Sequence, residues 1–192
     1  MDKVVVNCVV GIDPGANGGI AVFVSGRNPQ VVKMPKDLKK LGEYLEYLSE
    51  TQKPIVFLEK LSVRPDDISE EGGRANMGKL YRIQKLIANY EQLKALIAVA
   101  GIPYVMVHPM TWQTTLKLRV RGQKEEKGDR KKRYQQKAGE LYPGLKATLW
   151  SSDAILLMHF GRFVLANKLS WVKANLPERE HGNLFESVKG VK

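Results

Sequence analysis

Three carboxylates stand where apolar segments begin or end. Asp13 follows the β-branched run Val4 to Ile12, Glu59 closes Pro54-Ile55-Val56-Phe57-Leu58, and Asp153 falls in the first turn of an apolar segment from Ser151 to Asn167. Oxygen ligands on rigid elements suit a hard cation such as Mg²⁺ or Mn²⁺, and two such ions about 4 Å apart can clamp the attacking water and the leaving oxygen of a phosphodiester. Each residue also has a plainer reading. Asp13 could belong to an Asp-Pro-Gly turn, Glu59 could pair with a neighbouring Lys or Arg, and Asp153 could favour the positive end of its helix. The second chemical feature is a basic segment. Lys117, Arg119, Arg121, Lys124, Lys127, Arg130, Lys131, Lys132, Arg133 and Lys137 stand there against Glu125, Glu126 and Asp129. Contacts from such residues to phosphates give sequence-independent affinity, although charge runs also occur as solvated loops.

The whole chain carries the same sign. Its 31 Lys and Arg against 20 Asp and Glu give a net charge of +11, which favours a polyanionic partner. With 192 residues and 43% hydrophobic content it can bury one proper core. Cys8 is the only cysteine, so a disulfide framework or thiolate metal site within one chain is excluded, and a reducing compartment fits. No stretch approaches the roughly 18 apolar residues of a membrane span, so the expectation is a soluble cytoplasmic protein with no membrane partner.

Positioning those residues requires a sheet. The first run reads as a strand buried on both faces, and Asn17-Gly18-Gly19 makes a hairpin to Ile20–Val24 plausible. Gln30 to Met34 follows as a short strand, Leu38 to Leu48 as a helix, and Pro54 to Glu59 as another buried strand. Ser62 to Gly73 reads as a mobile loop. Ala75 to Ala100 is the longest helical pattern, with Leu80, Ile83, Leu86, Ile87, Tyr90, Leu93, Leu96 and Ile97 in one stripe, and Gly101 ends it. Ile102 to Val107 is a fifth strand, a short helix follows around Thr111 to Leu116, and the Ser151–Asn167 helix is apolar nearly all round. Residues 1–168 form one domain and 169–192 a loosely attached polar tail.

The order β-β-β-α-β-α-β-α-α predicts an α/β domain with a mixed five-stranded sheet flanked by helices, the pattern of ribonuclease-H-like nuclease folds. In that arrangement the first and fourth strands are neighbours, Asp13 meets Glu59, and the last helix delivers Asp153. Trp112, Tyr134 and Tyr142 could stack on bases, with core packing the plainer role for Trp112 and Tyr142. His108 reads as a strand-end residue and His159 as a core histidine.

Taken in order, GIDPGANGGIA around Asp13, IVFLEK around Glu59, Met77-Gly78-Lys79-Leu80, His108-Pro109-Met110-Thr111-Trp112, the Lys-rich segment before Leu141-Tyr142-Pro143, and Ser152-Asp153-Ala154-Ile155-Leu156-Leu157 resemble a RuvC-type Holliday junction resolvase, most similar to phage or prophage members. The resemblance runs from about Val4 to Leu165. It implies a homodimer that binds a four-way DNA junction and nicks two strands of like polarity, leaving 5′-phosphate and 3′-hydroxyl ends. It implies two Mg²⁺ or Mn²⁺ ions per active site, held by Asp13, Glu59 and Asp153. Lys131 matches the family's catalytic lysine, with Lys132 the adjacent alternative, and its role would be to neutralise charge developing on the scissile phosphate.

Two positions depart from the family pattern. Trp150 stands where an Asp or His usually precedes the last aspartate by one helical turn, which leaves Glu140 and Ser151 as candidates for a fourth ligand. Ser62 stands where an aromatic residue helps part the junction. Competing functions are cleavage of other branched DNA, junction binding without cleavage, and nucleotide binding of the sugar-kinase or actin type. The last would need a second phosphate loop and an adenosine pocket, and the sequence has neither.

Overall fold

Five short β-branched segments build the sheet. A computed structural model of the chain describes residues 6–15, 17–63, 76–119 and 126–176, with strands β1 (Cys8–Ile12), β2 (Gly19–Val24), β3 (Gln30–Lys33), β4 (Ile55–Glu59) and β5 (Tyr104–Val107). Val4, Val5, Ala16, most of the Ser62–Gly73 loop, Ala75, Arg121, Lys124 and residues 177–192 lie outside the described residues. The helices are α1 (Leu38–Gln52), α2 (Met77–Val99), α3 (Pro109–Thr115), α4 (Lys127–Leu141), α5 (Ser152–Asn167) and α6 (Leu169–Asn175).

The strand order is β3-β2-β1-β4-β5. β1 pairs antiparallel with β2 and parallel with β4, while β4 pairs parallel with β5. The sheet is therefore mixed. All five residues of β1 are buried, as a central strand covered on both faces requires. Alternation then sorts its side chains. Val9, Ile55 and Phe57 face a core shared with Trp112, Tyr134 and the apolar residues of α5, whereas Cys8, Val10, Ile12, Val56 and Leu58 face Leu41, Leu45, Tyr90, Leu93 and Ile97 of α1 and α2. Helices thus cover both sides.

α5 lies closer to the sheet than ordinary side chains permit. At Gly11 of β1 a Cβ atom would overlap the carbonyl of Ala154 and the backbone of Met158, so only glycine admits the helix there. This contact fixes the first turn of α5, and with it Asp153.

Two expectations meet a different structure, and one helix comes in addition. Only Tyr90, Leu93 and Ile97 of the α2 stripe are buried, and Met77, Tyr81 and Ile87 in its first half are exposed. The second half of the basic segment is the regular helix α4, anchored by Tyr134 and Ala138 one turn apart. A loose tail from Leu169 is corrected as well. Residues 169–175 form α6, Val172 and Leu176 are buried, and Trp171 meets Phe160 edge-on at 5.5 Å.

Candidate active site

The carboxyl ends of β1 and β4 lie side by side because the two strands are parallel and Ile12 pairs with Leu58. The next residues are Asp13 and Glu59. Asp13 is held in the hairpin: its N–H donates to the Gly19 carbonyl at 3.0 Å, and its Oδ1 accepts from the Gly15 N–H at 3.1 Å. The turn reading and the site reading of Asp13 are thus compatible, since the turn fixes the carboxylate.

Glu59 accepts a hydrogen bond at Oε2 from the indole N–H of Trp112, 3.2 Å away. The pairing of Glu59 with a neighbouring cation, the plainer sequence reading, is absent from the ion pairs of the described residues. Asp153 is almost wholly buried, accepts from Ser152 Oγ at 3.3 Å, and forms an ion pair with Lys131, whose Nζ lies 2.5 Å from Oδ2.

These four groups act on one another electrostatically. Burial raises Glu59 from 4.5 to about 8, and the charges of Asp13 and Asp153 push in the same direction against the Trp112 hydrogen bond and Lys131. Burial also raises Asp13, with Asp153 adding to the shift and the Gly15 N–H and Lys131 opposing it. The structure therefore brings Asp13, Glu59, Asp153 and Lys131 into one neighbourhood. Among the described residues, no three His, Cys, Asp or Glu side chains are drawn together into a metal-holding cluster. An ammonium already sits on one of the acids.

The substitutes suggested for a fourth ligand are engaged elsewhere. Glu140 is exposed and bonded to Gln136 and Lys137, while the Ser151 hydroxyl is buried against Thr148. Trp150 lays its ring on the start of β2, where a Cβ at Gly19 would come within 2.9 Å of Cζ3. Ser62 is exposed.

Of the basic residues, Lys117, Arg119 and Lys132 are exposed, and Arg130 is half-buried on α4. Lys127 opens that helix. Arg133 donates to the Leu118 carbonyl and lies over the Tyr134 ring at 5.7 Å, so its guanidinium ties the segment after α3 to α4. Tyr134 is corrected from a base-stacking candidate to a core residue, 2% exposed against Trp112. His108 caps α3, its Nδ1 accepting from the Met110 N–H at 3.2 Å, and His159 is half-buried with Nδ1 3.0 Å from the Tyr142 hydroxyl.

Sequence reasoning missed two features. Exposed Lys33 and Lys60 belong to the same sheet edge, Lys33 pairing with Gly19 and Lys60 following Glu59. Their position at strand ends was the available signal. The polar role of Trp112 had none, because nothing in the spacing tells which way an indole N–H points.

The fold is ribonuclease-H-like, with a mixed sheet, helices on both faces and acidic residues at the carboxyl edge of its two central parallel strands. Two solved structures of Thermus thermophilus RuvC share it. One, in complex with a Holliday junction substrate, aligns with a TM-score of 0.51 at 18% identity over 82% of this chain and 93% of that one. The other, RuvC without a stated substrate, gives 0.52 at 18% identity over 82% of this chain and 94% of that one. No protein-family model matches the chain, and no curated protein does.

Proposed function

We propose that the chain is a structure-selective DNA endonuclease that resolves four-way junctions by metal-dependent phosphodiester hydrolysis, leaving 5′-phosphate and 3′-hydroxyl ends. The observation that carries this reading is the convergence of Asp13 and Glu59 on adjacent strand ends with Asp153 and its ion-paired Lys131 on helices packed against them. The likeness to a RuvC–junction complex and the net charge of +11 support branched DNA as partner.

The donor set fits a divalent cation. It offers only carboxylate oxygens, Glu59 and Asp13 are raised by burial first and by mutual repulsion second, and a hard positive charge offsets both. Asp13, Glu59 and Asp153 would hold Mg²⁺ or Mn²⁺. A bound pair of ions supplies activation of a water and stabilisation of the leaving 3′-oxygen. Lys131, released from Asp153, presents its ammonium to the scissile phosphate. Lys117, Arg119, Arg130 and Lys132 provide phosphate contacts, and we assign Arg121, Lys124 and Lys127 the same role.

A homodimer suits the near two-fold symmetry of a junction. The exposed Met77 and Tyr81, one turn apart on α2, give a second copy an apolar face to cover. Among the described residues no helix is long and apolar enough to cross a membrane, and we place the protein in the cytoplasm, where the unpaired Cys8 fits.

The test is nicking of a synthetic four-way junction beside matched flap and linear duplex in Mg²⁺. Symmetric junction nicks are expected from the parent. Asp13→Asn, Glu59→Gln and Asp153→Asn should lose them by about 100-fold or more while keeping junction binding. Lys131→Gln should slow cleavage more than it weakens binding. Equal cutting of flap and junction would transfer the proposal to branched DNA in general. Tight binding with no cut in Mg²⁺ or Mn²⁺ would overturn the enzymatic reading.

A further inference from the structure

Besides the Ser152 hydroxyl on Asp153, a second fully buried polar group among the described residues bonds one of the acids without being a carboxylate or its cation. Trp112 has no exposed surface, and its indole nitrogen is a donor only, so burial obliges it to find an acceptor. That acceptor is Glu59 Oε2, at 3.2 Å. Glu59 ends β4 and carries three side-chain torsions of its own, so strand geometry alone does not fix where its oxygens stand. The indole supplies a fixed point.

Trp112 is itself held from three directions. α3 is capped on His108 Nδ1 and begins with Pro109, its carboxyl end closes with the Leu116 N–H on the Trp112 carbonyl at 3.0 Å, and the indole meets the Tyr134 ring edgewise at 5.5 Å and 63°. Tyr134 lies one turn beyond Lys131 on α4. A single rigid side chain thus joins the strand bearing Glu59 to the helix bearing the ammonium.

We propose that Trp112 is a positioning residue for Glu59: its N–H fixes the carboxylate in the orientation that accepts a divalent cation, and its ring sets α4 at the distance Lys131 needs. This rests on the proposed function in one respect, that Glu59 is a metal ligand. Outer partners of this kind hold ligand oxygens in place and raise affinity through order, since a pinned carboxylate loses less rotational freedom on binding. The donor also favours the ionised form that a cation requires.

The experiment uses the full chain and Mn²⁺ alone as probe, with free Mn²⁺ followed by electron paramagnetic resonance in the absence of DNA. Trp112→Phe removes the N–H and keeps a ring against Tyr134. In a second variant Trp112 is replaced by its benzothienyl analogue, in which sulfur stands in place of the N–H with almost no change of volume. It decides the matter if the phenylalanine variant fails to fold. Both are expected to weaken Mn²⁺ binding by about tenfold or more. In junction nicking they should shift the Mg²⁺ midpoint upward by a similar factor while approaching the parent rate at saturating Mg²⁺. Glu59→Gln should weaken Mn²⁺ binding at least as much, and adding the benzothienyl analogue to it should cost nothing further.

A residue that merely packs would lower the maximal rate and leave the midpoint in place, and that result overturns the proposal. Unchanged Mn²⁺ affinity in the benzothienyl variant, or in Glu59→Gln, overturns it too. If the parent cuts no junction yet binds Mn²⁺ in a manner sensitive to the Trp112 N–H, the endonuclease reading fails and the positioning role stands.

Discussion

Replacing Glu59 by glutamine in metal-free buffer should stabilise the fold, and increasingly so as pH rises. In the folded chain Glu59 keeps its proton to about 8, whereas the ordinary value is 4.5. Below the lower value both folded and unfolded chains hold the proton and no penalty exists. Between the two values only the folded chain holds it, so folding takes up a proton and stability falls with rising pH, by about 1.4 kcal/mol per pH unit. Above about 8 the penalty is complete, with an upper bound of about 5 kcal/mol for the whole interval from 4.5. Glutamine carries no charge at any pH and still offers an amide oxygen to the Trp112 N–H. The assay is urea unfolding of both chains with chelator present, from about pH 5 to about pH 9, so that groups titrating alike in the two chains largely cancel. The stability difference should widen in favour of Glu59→Gln and level off near pH 8. Mg²⁺ added at the alkaline end should restore the parent and leave the variant unmoved. A difference that stays flat across the range would refute the buried-carboxyl argument, and with it the idea that burial and the neighbouring acids together prepare Glu59 for a cation.

Two further perturbations probe how the site is held and its proposed contact with DNA. Gly11→Ala drives a methyl group into the backbone of Ala154 and Met158 and should cost about 3 kcal/mol of stability, read from the urea midpoint, with nicking lost as Asp153 moves. A midpoint within error of the parent would mean that α5 does not depend on that contact. Neutralising Arg130 and Lys132 together should weaken junction binding without abolishing Mg²⁺-dependent chemistry at saturating DNA, and should reduce the slope of log affinity against log salt by about two. An unchanged slope would remove α4 from the DNA path.

The strands and two of the acids were legible because the signal is local. A β-branched run that stops at a carboxylate places that carboxylate at a sheet edge whatever the rest of the fold does, and Asp13 and Glu59 both obey. α4 was hidden because Tyr134, Ala138 and Leu141 carry its buried face among residues that are mostly charged or polar, too short a stripe to stand out. α6 was hidden for the same reason, with Val172 and Leu176 as its buried contributions. The opposite error occurred on α2. Its apolar positions continue toward the amino end beyond the part that covers the sheet, and the periodicity does not tell a face buried by the chain's own core from one left for another surface.

The ion pair offsets part of the charge on a buried acidic neighbourhood. Burial and, after it, the charges of Asp13 and Asp153 disfavour an ionised Glu59, and two devices relieve this: a proton retained by Glu59, and the Lys131 ammonium on Asp153. Both are reversible. The proton leaves when another positive charge takes its place, and an ammonium 2.5 Å from Asp153 is not free to meet a phosphate until Asp153 has a different partner. On the proposed function, chemistry at Lys131 would therefore be coupled to occupancy of the acids. Tyr134 and Trp112 give that coupling a rigid path, because the helix carrying the ammonium is packed against the indole that holds Glu59. A lysine placed by chance on a basic surface would have no reason to be tied to the acids from both sides.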